Sequence, residues 1–206
     1  MHTLSAVQTR QLRLRAQRLL PTGVRAPGTA ADLLREICGV QAQDPLAALL
    51  AVQVRSRGLV ATEVERARVQ ERTIVRTWCM RGTLHLLARE DLGWLLPFLG
   101  PEFVRKSRRR YAQLGLDETI CTRAVQTIRN ALGERGPMTR AELAGHLAVR
   151  GIPAEGQAPY HLLRRAGLEG AICCGPEREG EPTYVTLADW APIGGALTGD
   201  AARAEL

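Results

Sequence analysis

Residues 137–187 read PMTRAELAGHLAVRGIPAEGQAPYHLLRRAGLEGAICCGPEREGEPTYVTL, and the order of elements in this stretch decides the fold. Thr139-Arg140-Ala141-Glu142 is a capping-box signature that opens a short helix to about Val149. Gly151-Ile152-Pro153 is a turn. Gln157 to Glu169 is helical, with Leu162, Leu163 and Leu168 toward a core and Arg164 and Arg165 among the exposed positions. Ala171-Ile172-Cys173-Cys174 is a strand, Gly175 to Pro182 a polar loop, and Thr183-Tyr184-Val185-Thr186-Leu187 the returning strand. Helix, turn, helix, strand, loop, strand is the order of a winged-helix unit.

The N-terminal half has a similar order. Ser5 to Leu20 reads as a helix anchored by Leu12, Leu19 and Leu20, and a loop follows through Pro21, Gly23, Pro27 and Gly28. Thr29 caps the next helix with Asp32 three residues on, and Leu33, Leu34 and Ile37 form its stripe. Asp44 and Pro45 suit the N-cap and first position of a third helix, with Leu46, Leu49, Leu50 and Val54 inside and Arg55 and Arg57 at its end. Thr62 and Glu65 fit a further capping box. Ile74 to Met80 is β-rich, Arg81-Gly82 turns, and Thr83 to Leu87 returns. The expected fold is therefore α+β and mainly helical, with tandem winged-helix (helix-turn-helix) units carrying β-hairpin wings. Residues 1–88 form the first unit, 89–136 a helical connector, 137–190 the second unit and 191–206 a flexible tail.

Composition narrows the classes. The chain has 206 residues, 45% hydrophobic and 24% charged, the balance of a folded protein. Its formal net charge is +7, and Lys106 is the one lysine. Guanidinium groups keep their charge and match phosphate geometry, which suggests a polyanionic partner. Cys38, Cys79, Cys121, Cys173 and Cys174 have no zinc spacing. Their odd number, the polar arginine-rich N-terminus and the lack of a membrane-length apolar run lead to the expectation of a bacterial cytoplasmic, nucleoid-associated protein without metal or cofactor. Arg105, Lys106, Arg108, Arg109 and Arg110 form the densest basic run and the leading phosphate-contact candidates. Arg178 lies in the second wing loop. Trp78 and Trp94 read as core residues.

Several motifs carry more than a fold class. Val40-Gln41-Ala42-Gln43-Asp44, Val75 through His85, Glu90 through Leu96, Gly156 through Ala166 and Gly180 through Tyr184 occur in one order. Over roughly residues 10–190 they resemble the AlkZ/YcaQ-like family of DNA glycosylases. The resemblance implies a monofunctional glycosylase that hydrolyses the N-glycosidic bond of alkylated, cationic N7 or N3 purines in double-stranded DNA, interstrand crosslinks included. It implies catalytic roles for Gln41 and Gln43, and it adds Arg81 and His85 to the candidate DNA contacts, with Arg55, Arg57, Arg164 and Arg165. Members of that family have a further C-terminal region, with another winged-helix unit and a small β-barrel, that these 206 residues do not match. Its lack is expected to weigh on catalysis more than on binding. The alternatives are a non-catalytic winged-helix DNA-binding protein or regulator, and a protein whose wings serve protein contacts.

A glutamine amide does not ionise near neutral pH and is no strong base, but its carbonyl holds water and its NH2 donates. That suffices where the leaving group is already cationic and departs as a neutral base. The carbonyl dipoles would favour the oxocarbenium-like sugar and orient the attacking water. Residues two apart share a side only in an extended segment, which places the pair just before the helix that Asp44-Pro45 opens. Asp44 either adds negative charge there or simply caps that helix. A Schiff-base lyase would need an amine, and Lys106 lies in the basic run.

Overall fold

The computed structural model describes residues 4–20 and 28–192, together with Ala202 and Ala204. The expected loop around Pro21 to Pro27 and most of the expected tail lie outside the described residues.

Helix α1 (Ala6–Ala16) comes first. The first unit then runs α2 (Ala30–Glu36), β1 (Val40–Gln41), α3 (Pro45–Gln53), α4 (Ala61–Val69), β2 (Ile74–Trp78) and β3 (Leu84–Ala88). Its antiparallel sheet has the order β1-β3-β2. Then come α5 (Leu92–Lys106), α6 (Arg108–Gln113) and α7 (Glu118–Arg135). The second unit adds β4 (Met138–Thr139), α8 (Arg140–Val149), α9 (Ala158–Leu168), β5 (Ile172–Cys174) and β6 (Thr183–Thr186), and α10 (Leu187–Trp190) follows. Its sheet has the order β4-β6-β5. Helix α7 stands before β4 as α2 stands before β1, so both units share one topology: helix, short strand, two helices, hairpin. The fold is mostly helical with winged-helix hairpins. The sheet pairing of the short strands β1 and β4 leaves no signal in the sequence, because two residues show no period.

Three of the four predicted side-chain caps form. The Thr29 and Asp32 pair and the Thr139 and Glu142 pair close reciprocal capping boxes. The Asp44 carboxylate accepts from the Ala47 N–H at 3.1 Å with Pro45 in the first turn. Helix α4 differs. It starts at Ala61, and Glu63 accepts from the Val60 N–H at 3.0 Å. Glu65, expected to box with Thr62, instead pairs with Arg68.

Two apolar faces also differ. Helix α3 buries Ala48 and Val52 and half-buries Leu49, while Leu46, Leu50 and Val54 are 65%, 52% and 60% exposed. Its sequence is apolar all round, so periodicity could not choose a face. Helix α1 buries no residue; Leu12 and Leu19 are exposed and Leu20 is half-buried.

Strands β2 and β3 are covered on both sides. One cluster joins Ile74, Leu86 and Ala88 to α2, α3 and α4. Another joins Val75, Cys79 and Leu87 to α5, Cys173 and Val185. A third sets Trp78 and Leu84 among α7, α8 and α9. Trp78 stacks on Tyr184 and meets Tyr160 edge-on. The Gly167 position of α9 lies so close to Trp78 that a methyl group there would overlap the indole ring. The two units are thus interlocked through the first hairpin. Arg68 of α4 adds a bond from Nη1 to the Gly175 carbonyl at 2.8 Å. Among the described residues, no helix is long and apolar enough to cross a membrane.

Candidate functional site

The glutamine pair sits where α2 hands the chain to the sheet. Cys38 and Gly39 both take positive φ, 56° and 86°, which reverses the chain sharply after α2. A Cβ at Gly39 would strike the Leu86 carbonyl and the Leu87 side chain, so β1 reaches its place beside β3 only with glycine there. Val40 then pairs with Leu86 and Gln41 with His85. Ala42 is fully buried, whereas Gln41, Gln43 and Asp44 are exposed. The alternation expected of an extended segment is therefore present, and no packed helix covers either glutamine.

Both side chains are oriented by β3 and its turn. Arg81 Nη2 donates to Gln41 Oε1 at 2.8 Å. The Leu84 N–H donates to Gln43 Oε1 at 3.3 Å. Each carbonyl oxygen keeps a second lone pair for water. The intervening backbone is held by Arg76, whose Nε donates to the Ala42 carbonyl at 3.0 Å and whose Nη2 reaches the Gln43 carbonyl at 3.5 Å. Arg76 was missed in the sequence. The available signal was a charge in the middle of a strand, which has to find a partner when the strand is covered on both faces.

His85 is buried, and its Nδ1 lies 2.9 Å from the Thr83 carbonyl oxygen, so that nitrogen carries the proton. Burial holds its pKa below the ordinary histidine value; the Thr83 bond opposes this and the nearby Arg81 charge adds to it. His85 is thus a neutral group next to Gln41 in the sheet, enclosed rather than offered to a DNA surface.

The other candidates divide. Arg81, Arg57, Arg105, Lys106, Arg108, Arg109 and Arg178 are exposed. Arg105 and Lys106 share Glu102. Arg110 is half-buried and bonded to Gln113 and Gln157. Arg178 pairs with Glu142 at 2.5 Å. Arg55 is half-buried and donates to the Ala51 carbonyl of its own helix at 2.9 Å.

Arg165 departs from expectation. It is only 6% exposed and is ion-paired with Glu118 and Glu169. Burial works against its charge, but these two carboxylates more than offset that and raise its pKa above the ordinary arginine value. Arg164 is half-buried and bonds to the Gly82 carbonyl and the Ser107 hydroxyl. The apolar stripe of Leu162, Leu163 and Leu168 places both arginines off the core side, which suits exposure when only one face of a helix is covered. Here α9 is enclosed between the first hairpin, α5 and α7, with eight of its 11 residues buried. A cavity of about 1450 Å³ opens between α5, α6 and the end of α9, with Arg105 and Arg108 in its walls and neither glutamine.

Comparison with known proteins places this geometry. An interstrand DNA cross-link repair glycosylase of Streptomyces sahachiroi is 30% identical over 183 residues, which cover 81% of this chain and 47% of that protein. The solved structure of the Streptomyces sahachiroi DNA glycosylase AlkZ superposes with a TM-score of 0.76 at 25% identity, covering 92% of this chain and 52% of that one. The chain thus spans about half the length of the relatives it matches. The model of the family described as DNA glycosylase AlkZ-like matches residues 34–206. With the paired winged-helix topology on which the glutamines are mounted, these matches show that the chain belongs to the AlkZ-like family of DNA glycosylases.

Proposed function

We propose that the protein is a monofunctional DNA glycosylase acting on cationic, N7- or N3-alkylated purines in double-stranded DNA, with Gln41 and Gln43 as its catalytic residues. One observation carries the reading. Gln41 at the end of the short edge strand β1 and Gln43 two residues beyond it both stand exposed with buried Ala42 between them, and each carbonyl oxygen is aimed by a donor from the adjacent turn or strand. The family match and the cross-link repair glycosylase among its relatives support the substrate class.

The chemistry asks little of an acid or base. An alkylated purine already carries positive charge, and the electron pair of the breaking C1′–N9 bond cancels it as the base departs. The sugar is left cationic. Water adds at C1′ and gives its excess proton to solvent. Gln41 and Gln43 would hold that water through their free lone pairs and turn their carbonyl dipoles toward the sugar. The Arg81 charge beside Gln41 opposes a sugar cation unless a phosphate offsets it, which the DNA backbone supplies. Exposed Arg81, Arg108 and Arg109 would contact phosphate. His85 would support Gln41 from within the sheet.

The regulator alternative wants exposed recognition helices, and the enclosure of α9 counts against it. Binding without hydrolysis is separated from catalysis by assaying release of N7-methylguanine from alkylated duplex DNA. Release is expected with the unaltered protein. Salt-sensitive binding without release would favour the binding-only reading.

A further inference from the structure

We infer that Arg164 is a positioning residue for Gln41, acting through the turn that carries Arg81. The inference rests on the catalytic reading of Gln41 and extends it to the second winged-helix unit.

The turn between β2 and β3 is a short 3-10 segment, Met80–Gly82, and Arg81 within it has φ 57° and ψ 10°. A left-handed conformation is uncommon for a residue with a side chain and persists where its surroundings hold it. Local bonds do part of this: the Gly82 N–H reaches the Cys79 carbonyl at 2.9 Å, and the Cys79 N–H reaches the Thr83 carbonyl at 3.0 Å. The remaining hold comes from another unit. Arg164 Nε donates to the Gly82 carbonyl at 2.8 Å, and its Nη1 donates to Ser107 Oγ at 2.6 Å. The Ser107 hydroxyl donates in turn to the Phe103 carbonyl at 2.8 Å, tying the guanidinium to the α5–α6 junction. The guanidinium fills the place a Cβ would take at Gly82, so glycine at that position makes room for it.

The segment that Arg164 grips is the one that serves both glutamines. Arg81 holds the Gln41 oxygen. The Gly82 carbonyl is held by Arg164. The Thr83 carbonyl accepts from His85. The Leu84 N–H holds the Gln43 oxygen. The bonds Arg164 makes go to neutral oxygens, whereas its neighbour Arg165 is matched by two carboxylates. Without Arg164, Arg81 is free to leave its left-handed conformation, and the Gln41 amide loses the donor that aims it.

The test uses the full chain and the Arg164→Lys, Ser107→Ala and Arg81→Ala variants, each also placed in a Gln41→Ala background. Unfolding midpoints identify variants that have lost the fold; Ser107→Ala removes only one anchor of Arg164 and serves where Arg164→Lys does not fold. Single-turnover release of N7-methylguanine at saturating protein is measured beside the Kd for the same duplex. Arg164→Lys should slow release about tenfold while changing Kd less than about twofold, and should cost nothing more once Gln41 is gone, as expected for residues acting as a unit. In 15N-labelled protein, the side-chain NH2 resonances of Gln41 should shift in the same sense in Arg164→Lys and Arg81→Ala. Equal losses in both backgrounds, or a weaker Kd with a shallower salt slope and unchanged release, would overturn the inference; the latter is the mark of a phosphate contact. If the unaltered protein releases no base, the catalytic reading fails, and the Gln41 resonances alone then decide: a shift upholds the Arg164 linkage and its absence overturns it.

Discussion

His85 offers a titration at the scale of a single residue. Its folded pKa lies below its ordinary value because it is buried, and His161 is lowered by burial and by Arg164 and Arg110. For a lowered group the stabilising contribution is fully present above the unfolded pKa, about 6.5, and is lost as pH falls through the folded value. Urea midpoints should therefore drop between about pH 7.5 and pH 5, and His85→Gln should flatten that slope. An unchanged slope in His85→Gln would remove His85 as a cause. Gln41 and Gln43 stand out in the sequence through the resemblance to the AlkZ/YcaQ-like family; the local pattern, an extended pair before a helix cap, settles only that both are exposed. The bonds of Arg76 and Arg164 were not legible. Arg76 bonds to residues more than thirty positions earlier, and Arg164 reaches back 82 positions to Gly82, distances over which residue type says nothing about contact.

Among the elements, helix starts were the most legible, since a cap and its partner lie three residues apart. Thr139→Ala should cost about 1 kcal/mol by removing the cap of α8, read as a lower denaturation midpoint. The faces of α3 and α9 were illegible for different reasons. Helix α3 is apolar on all sides, so burial had to be decided by its neighbours. Helix α9 has a clear apolar stripe, but its arginines are drawn into contacts too, with buried Arg165 paired to the exposed Glu118 and Arg164 gripping the first hairpin. One close approach of this helix is at Gly167 against Trp78. Gly167→Ala should destabilise the fold by about 1–3 kcal/mol through overpacking, despite alanine's better helix propensity. A stability equal to or above that of the parent would show that the two units are not tightly locked there.

At the scale of the whole molecule, the described residues are built around two copies of one topology fastened through a hairpin, with Gln41 ending an edge strand of the first copy and Gln43 just beyond it. This arrangement uses the recognition-helix position of the second copy for internal contacts, α9 against the hairpin, while α4 sends Arg68 to the second wing. On the proposed function, DNA affinity would rest on exposed arginines such as Arg81, Arg108 and Arg109. Replacing Arg108 and Arg109 together by alanine should weaken duplex binding alike across sequences and reduce the slope of log K against log salt by about 2 units; an unchanged slope would place the phosphate contacts elsewhere. The order of elements was readable because each unit repeats local signals, while the packing of one unit on the other depends on contacts that no local pattern encodes. The central claim, that the two glutamines perform hydrolysis, is tested most directly by release of N7-methylguanine from alkylated duplex DNA, comparing the unaltered chain with Gln41→Ala/Gln43→Ala. The account predicts release by the first and a loss of about a hundredfold or more in the second with duplex binding retained; equal release by both proteins would contradict it.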